Sequence, residues 1–447
     1  MLISFEVENW MSFRDKVTFS MVASREKQHG ERIPRVGKYP LRILPIAALF
    51  GGNASGKTNL FKALSFSKQL VTKGTNLNSL TGVKPFRLDS AYNEKKSSFK
   101  FEFLIDDIIY DFYFELTRDR IIKEKLLMIS STREELLYVR EGSDAVFSNK
   151  FTDNEPLKYA FKGTRDNQLF LTNSVNQKID IFKPVYNWFD NSLLPIGPDD
   201  RFGPFEQFIQ DSNPLSPFMN ANLARLDTGI AHLGGEEIKL QNSDLPEKAL
   251  QVLDKELKEG QTISMPPFSR NRYIVTRKNG ELVVTKLVAF HKRTDGSEIQ
   301  FEINQESDGS NRIIDLLPAF LYLSSKDSKG VFFIDEIDRS LHTILVRRLI
   351  EVYLASCSPE SRSQLLFTTH DVMQMDQDFL RRDEMWVLER DLDGASSLLA
   401  LSDYKVRFDK DIRKMYLQGR FGGVPRLLLS GQFARCEKAV PSEGGEE

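Results

Sequence analysis

The sequence predicts an α/β protein with a parallel central sheet, an antiparallel β subdomain near the N-terminus and an inserted subdomain of mixed, partly helical structure. Between residues 310 and 400, apolar runs that suit buried strands alternate with helical patterns, which is typical of a parallel sheet. Residues 98–128 instead alternate apolar and polar side chains one by one, as half-buried antiparallel strands do.

The length and charge balance indicate a globular protein. At about 100–200 residues per domain, the 447 residues allow two to four domains. Lys and Arg number 61 and Asp and Glu number 63, which gives a formal net charge of −2. This balance argues against a highly basic nucleic-acid-binding protein, although a local basic surface could be offset elsewhere.

Cysteine content and hydropathy exclude further classes of protein. Cys357 and Cys436 are the two cysteines, so a disulfide framework or zinc ribbon is excluded and a reducing cytosol is favoured. The longest apolar runs, such as residues 44–50, are far shorter than the roughly 20 residues that cross a bilayer. The N-terminus lacks a signal-peptide pattern. We therefore expect a cytoplasmic protein without a membrane segment.

The first elements follow one another closely. Residues 2–7 and 17–21 predict two strands joined by a turn, and residues 25–42 predict a loop. An apolar run at 43–50 predicts a strand buried on both faces of a sheet. A helical pattern follows at about 57–70.

The later elements are marked by turn residues. The strands of residues 98–128 are expected to turn at 106–107 and 118–119. A helix is expected at about 247–258. Residues 272–304 predict strands with hairpin turns at Asn279-Gly280 and Asp295-Gly296.

These patterns divide the chain into four parts. Residues 1–149 form the N-terminal part of the α/β domain, and residues 150–262, which are irregular and rich in Asn and Pro, form the inserted subdomain. Residues 263–432 complete the domain. Residues 433–447 are polar and acidic and are expected to form a flexible tail.

The segment from Gly51 to Thr58 fits the pattern G-x-x-x-x-G-K-[ST] of a phosphate-binding loop. Small residues allow consecutive backbone N–H groups to curl around a phosphate, and the following helix directs its positive N-terminus to the same place. In such loops the lysine, here Lys57, reaches the β- and γ-phosphates, and the hydroxyl of Thr58 binds Mg²⁺. The candidate nucleotide-binding residues are Gly51, Gly52, Asn53, Ala54, Ser55, Gly56, Lys57, Thr58 and Asn59.

Two carboxylates end the apolar strand at residues 331–334. A nucleotide site needs an acid beside the phosphate loop to hold Mg²⁺ or its water, and Asp335 suits that role. A second acid can activate the attacking water, and Glu336 suits the role of general base. The alternative is a strand that simply ends in solvent with two charged residues.

Two further segments fit the same site. His370 follows the next apolar strand, where it could hydrogen-bond the γ-phosphate. Ser307 and Gly309 precede an apolar helix, where they could form a second phosphate-binding element. The alternative is that Ser307 or Ser310 is a plain helix N-cap and Gly309 a turn residue.

Together these four segments resemble the ATPase head of the ABC type. That class includes the structural-maintenance-of-chromosomes proteins, double-strand-break repair ATPases and the overcoming-lysogenization-defect family. The resemblance identifies Gly51–Thr58 as Walker A, Ser307–Gly309 as the signature loop, Asp335-Glu336 as Walker B, His370 as the switch histidine and Asp338 as part of the D-loop. It implies ATP and Mg²⁺ as cofactors, and two heads that enclose two ATP molecules.

A narrower resemblance extends along most of the chain, to stand-alone AAA-type ATPases of bacterial abortive-infection and anti-phage systems. Its residues include Val7–Phe13, Pro85–Leu88, Leu226–Ile230, Asp335–His342 and Gly419–Pro425. This family implies a homodimer or higher homo-oligomer that controls a separate effector, commonly a nuclease encoded nearby. Arg420 and the Gly422-Gly423 loop could serve subunit or effector contact.

Two departures from the ABC pattern are visible. No glutamine lies between Gln69 and Gln168, so no Q-loop residue is assigned, although residues 85–89 could occupy that region. The signature loop has Asp308 where transporters have glycine. The resemblance implies that this loop contacts the γ-phosphate held by the phosphate loop of a second copy.

The sequence is compatible with several functions. The main alternative is an ATPase that acts directly on DNA, although the irregular residues 150–262 do not suit a long coiled coil. A self-contained nuclease would need a metal pair such as Asp391 and Asp393, which more simply form a hairpin turn with Gly394. A module that only binds ATP is disfavoured by Glu336.

A basic stretch at residues 270–293 leaves DNA binding open. Such charges on alternating strands are usually a solvated face, and the alternative is contact with nucleic acid or an acidic partner. The basic residues are Arg270, Arg272, Arg277, Lys278, Lys286, Lys292 and Arg293.

Overall fold

The computed structural model describes residues 1–202, 216–240, 243–265, 271–404 and 410–424. The strands within them are β1 (Leu2–Glu8), β2 (Val17–Ser20), β3 (Arg35–Val36), β4 (Leu41–Arg42), β5 (Ile46–Phe50), β6 (Ser97–Ile105), β7 (Ile108–Leu116), β8 (Ile121–Ile129), β9 (Glu134–Glu141), β10 (Asp144–Phe147), β11 (Leu193–Ile196), β12 (Ile230–Ile238), β13 (Thr262–Ser264), β14 (Tyr273–Lys278), β15 (Glu281–Lys292), β16 (Glu298–Glu302), β17 (Val331–Ile334), β18 (Gln364–Thr368), β19 (Met385–Arg390) and β20 (Ser396–Ala400). The α-helices are α1 (Lys57–Thr72), α2 (Glu155–Lys162), α3 (Phe170–Asn176), α4 (Lys183–Asn187), α5 (Ser216–Leu223), α6 (Glu247–Glu256), α7 (Asp308–Leu323), α8 (Thr343–Ser356) and α9 (Ile412–Leu417).

The central sheet has the strand order β11-β17-β18-β5-β19-β20. Its neighbours are parallel except for β20, which returns antiparallel to β19 through a hairpin. The predicted parallel α/β class is confirmed, and β5 is buried along its whole length as its apolar sequence indicates. The edge strand β11 comes from the segment predicted to be an insert, so that segment also contributes to this sheet. The boundaries at 150 and 262 stay a prediction.

The two faces of the central sheet bury alternate side chains, as the two-residue period of a strand requires. On β17, Val331 and Phe333 join a core with α1 and the N-terminal antiparallel sheet. Phe332 and Ile334 join a second core with α7 and α8. Both faces are therefore covered, which explains why these strands are continuously apolar.

The N-terminal sheet is antiparallel, with the order β10-β9-β8-β7-β6-β1-β2. Its predicted hairpins are confirmed, and Asp106 and Asp107 turn the chain with φ of 42° and 61°. The side chain of Gln364 on β18 joins this sheet to the central one. It accepts from Leu2 N–H at 2.5 Å and donates to Leu2 C=O at 2.9 Å.

A third, smaller sheet has the order β12-β15-β14-β13, with β16 paired to β15. The predicted turns at 279–280 and 295–296 are confirmed, and α6 packs Leu250 and Leu253 onto this sheet. The predicted loop at 25–42 contains the short pair β3 and β4, which sequence alternation was too brief to indicate.

Two further predictions concern the C-terminal tail and membrane crossing. The predicted tail at 433–447 lies outside them. Among the helices of the described ranges, none is long and apolar enough to cross a membrane.

Candidate functional site

A cavity of about 1040 Å³ lies at the carboxyl ends of β5, β17 and β18. Parallel strands deliver the residues that follow them to one edge of a sheet, so segments distant in sequence meet there. The cavity is lined by Asn53–Asn59, Glu336 and His370, and a further wall comes from residues 82–88 and from Arg390. The structure thus brings together three of the four segments that the sequence singled out.

The loop between β5 and α1 has a conformation that requires glycine at both ends. Gly51 and Gly56 have φ of 154° and 113°. A Cβ on Gly51 would lie 2.6 Å from the carbonyl oxygen of Leu388, and one on Gly56 would lie 2.6 Å from Ser396 Oγ. Helix α1 begins directly after Gly56, so its positive N-terminal end faces the cavity and suits an anion.

Lys57 points back over the loop that precedes it. Its Nζ donates to the carbonyls of Gly51 at 2.7 Å and Gly52 at 3.1 Å, and it lies 3.4 Å from His370 Nδ1. The side chain is buried, and this burial lowers its pKa to about 8 despite the opposing charge of nearby carboxylates. A buried cation held by carbonyl groups is suited to an anionic ligand with phosphate oxygens.

Asp335 is completely buried at the end of β17. Thr368 Oγ1 donates to Asp335 Oδ1 at 2.6 Å, whereas Oδ2 has no hydrogen-bond partner among the described residues. This buried carboxylate oxygen fits a hard divalent cation such as Mg²⁺, and the charge of Asp335 acts on the neighbouring Lys57 of the phosphate loop. In the described ranges, no group of three or more His, Cys, Asp or Glu side chains is arranged to hold a metal ion.

Three more polar residues, Glu336, Asp338 and His370, make hydrogen bonds at the ends of β17 and β18. Glu336 has a φ of 50° and donates its backbone N–H to Thr368 Oγ1 at 2.7 Å. Asp338 Oδ2 accepts the backbone N–H of His370 at 3.2 Å. Burial, and next the charge of Lys57, lower the pKa of His370. Both effects favour the neutral imidazole of His370, which has one ring N–H to donate.

Ser307 and Gly309 lie outside the cavity lining of their own chain. Ser307 is the N-cap of α7, since its Oγ accepts the backbone N–H of Ser310 at 3.0 Å. A Cβ on Gly309 would lie 2.9 Å from the carbonyl oxygen of Ser340, so α7 begins against the loop that carries Asp338. Ser307 is confirmed as a helix N-cap, whereas the interpretation of Gly309 as a turn residue is wrong, because Gly309 lies within α7. The phosphate-binding role stays a prediction.

Sequence reasoning missed several residues near the site. Thr368 holds both Asp335 and Glu336, and its place two residues before His370 was a signal that could have identified it. Ser12 accepts from Asn59 Nδ2 at 2.7 Å and so links the β1–β2 turn to α1. Gly422 and Gly423 pack on β19 and the phosphate loop, whereas Arg420 is exposed.

The basic stretch is largely occupied by contacts within the chain. Arg272 lies 2.9 Å from Asp315, Arg277 lies 2.8 Å from Asp254 and Lys286 lies 2.6 Å from Glu302. Arg270 falls outside the described residues. Asp391 and Asp393 lie in the hairpin between β19 and β20, as the simpler interpretation predicted.

Comparison with known proteins identifies one family and similar folds. A family model described as "AAA domain, putative AbiEii toxin, Type IV TA system" matches residues 46–375. The SMC head domain from Thermotoga maritima is similar with 13% identity and a TM-score of 0.37, over 89% of this chain and 98% of that chain. The SmcHead bound to the C-winged helix domain of ScpA is similar with 13% identity and a TM-score of 0.37, over 90% of this chain and 99% of that one. No curated protein matches the chain.

Proposed function

The chain belongs to this AAA-domain family, and we propose that it is an ATP-binding and ATP-hydrolysing switch protein of a bacterial anti-phage system. The observation that carries the proposal is the buried Oδ2 of Asp335, which has no partner among the described residues and lies close enough to Lys57 of the phosphate loop for the Asp335 charge to act on that lysine. This arrangement offers a cation, a positive helix end and a metal-binding oxygen to one Mg²⁺-nucleotide.

Each side chain has a role in this proposal. Lys57 binds the β- and γ-phosphates, and Thr58 and Asp335 hold Mg²⁺, which neutralises charge on the phosphates when bound. Glu336 accepts a proton from the attacking water. His370 donates its ring N–H to the γ-phosphate.

The proposed active assembly is a homodimer. Ser307 and Gly309 start α7 away from the cavity of their own chain, so they are available to a nucleotide held by a second copy. Gly309 also lies against Ser340, in the loop that carries Asp338. If two copies close around ATP, the nucleotide held by one copy would contact both the start of α7 and the loop that carries Asp338 in the other copy.

We propose that the closed dimer controls a separate effector, with a nuclease-like protein as the expected partner. The description of the family names a toxin of a toxin–antitoxin system, which supports a role in defence. The alternative is an ATPase that acts directly on DNA. The internal ion pairs of Arg272 and Lys286 weaken that alternative, because they reduce the basic charge available to phosphates.

Equilibrium binding of a fluorescent ATP analogue with Mg²⁺ tests the nucleotide site. Lys57→Ala should abolish binding, whereas Lys62→Ala, an exposed change on the same helix, should bind as the unmodified protein does. Equal affinity in both variants would refute the site. A gel shift of DNA that weakens steeply with salt would favour the alternative function.

A further inference from the structure

A short segment near the C-terminal end of the described chain contacts the phosphate loop. Residues Phe421–Val424, which we call the strap, follow α9, and the carbonyl of Gly423 accepts the backbone N–H of Gly52 at 2.6 Å. We propose that the strap is a positioning element of the nucleotide site that fixes Lys57 through the Gly51–Gly52 peptide. This inference rests on the proposed ATP-binding function.

One peptide unit connects the strap to Lys57. The N–H of the peptide between Gly51 and Gly52 donates to Gly423, and its C=O accepts from Lys57 Nζ at 2.7 Å. Because a trans peptide is planar, its N–H and C=O rotate together. A change in the strap contact therefore also turns the carbonyl that orients the Lys57 ammonium.

The strap contact does not compete with a nucleotide. The cavity is lined by Asn53–Asn59, and Gly51 and Gly52 are outside that lining. The N–H of Gly52 thus bonds to the strap, whereas the residues that line the cavity make no backbone hydrogen bond to residues 421–424 within the described chain. This arrangement suits a contact that supports the phosphate loop, rather than one that blocks the nucleotide.

The strap is itself held closely. Gly423 C=O also accepts the hydroxyl of Tyr416 at 3.0 Å. Gly423 has a φ of 70°, and a Cβ there would lie 2.5 Å from Val387 Cγ1 and 3.1 Å from the carbonyl oxygen of Leu388. That same carbonyl faces Gly51. The strap, β19 and the phosphate loop thus touch through their backbones, which only glycine permits.

Two variants test the strap against one matched control. Gly423→Ala introduces a clash, and Tyr416→Phe removes one hydrogen bond while keeping the ring. Gly419→Ala is the control, because its φ of 75° imposes a similar backbone strain while no atom of the described residues lies within 4 Å of the new Cβ. The measurements are the affinity for the fluorescent ATP analogue with Mg²⁺ and the melting temperature without nucleotide.

We expect Gly423→Ala to weaken binding by about tenfold or more and Tyr416→Phe by about two- to tenfold. Gly419→Ala should lower the melting temperature but keep the affinity of the unmodified protein. Unchanged affinity in Tyr416→Phe and in folded Gly423→Ala would overturn the strap proposal alone. If Gly423→Ala does not fold, the ATP affinity of Tyr416→Phe alone decides whether the strap proposal stands. Failure of the unmodified protein to bind ATP would instead refute the proposed function, and the strap proposal with it.

Discussion

Thr368 Oγ1 donates a hydrogen bond of 2.6 Å to Asp335 Oδ1 and leaves the other carboxylate oxygen free of partners among the described residues. The hydroxyl fixes which oxygen can meet a metal ion. We predict that Thr368→Val raises the Mg²⁺ concentration needed for half-maximal ATP turnover by about tenfold, a typical effect of losing such a support.

A Mg²⁺ titration of ATPase activity measures this effect. Thr172→Val is the matched control, since Thr172 is also buried and bonds to the carbonyl of Val71 at 2.8 Å, away from the cavity. The same Mg²⁺ dependence in Thr368→Val and Thr172→Val would remove Thr368 from the metal-binding arrangement.

Lys57 makes nucleotide binding depend on pH. Its pKa of about 8 lies below the ordinary value of 10.5, so the unfolded chain binds more protons between those values. The contribution of Lys57 to the stability of the nucleotide-free protein therefore rises with pH across that window. Phosphates favour the charged form, so the protein must take up a proton when it binds ATP above pH 8.

We expect ATP affinity to fall by up to about tenfold per pH unit above pH 8. Calorimetry at pH 9 in two buffers with different ionisation enthalpies should report the proton uptake. In Lys57→Arg this pH dependence should disappear, because a guanidinium stays charged throughout the range. Constant affinity of the unmodified protein from pH 7 to 9.5 would contradict the assignment.

Glu336→Gln should separate ATP binding from hydrolysis. Loss of the proposed general base should slow turnover by about 10²–10⁴-fold while the phosphate loop still binds ATP. Sedimentation velocity with Mg²⁺ and ATP should then show an accumulated dimer. Glu155→Gln, an exposed change on α2, should behave as the unmodified protein does. A monomer under these conditions would exclude the proposed dimer.

Gly309→Ala should disturb the start of α7 without disturbing the cavity. The new Cβ would lie 2.9 Å from the carbonyl oxygen of Ser340, so the helix and the loop must move apart. We predict a large loss of ATP turnover with nucleotide affinity retained. Gly37→Ala, which meets no atom within 4 Å, is the control. Turnover at the rate of that control would show that Gly309 has no part in hydrolysis.

The sequence predicted two kinds of site residue: those in one contiguous motif, and those that directly follow a strand of the parallel sheet. Gly51–Thr58 are contiguous, so their pattern needs no knowledge of the fold. Asp335 and His370 each follow an apolar strand, and the rule that parallel strands end at one edge brings them together. The structure places them accordingly, beside the loop.

Other features depend on contacts between distant segments. The strap and Gly52 lie far apart in the sequence, and no periodicity links the two. The strand β11 contains Pro195, which argues against a central strand. Proline is tolerated because β11 is an edge strand, where one side of the backbone needs no ladder partner. Its membership of the sheet was therefore visible only in the structure.

The contact between Gly52 and Gly423 also has a consequence for biosynthesis. A ribosome adds about 5–20 residues per second and produces domains from the N-terminus onwards. The phosphate loop at residues 51–58 is translated before its supporting segment at residues 421–424. While the residues between them are being translated, the nascent chain has the loop without its support. The proposed role of the strap therefore predicts that a nascent chain without residues 421–424 binds ATP weakly.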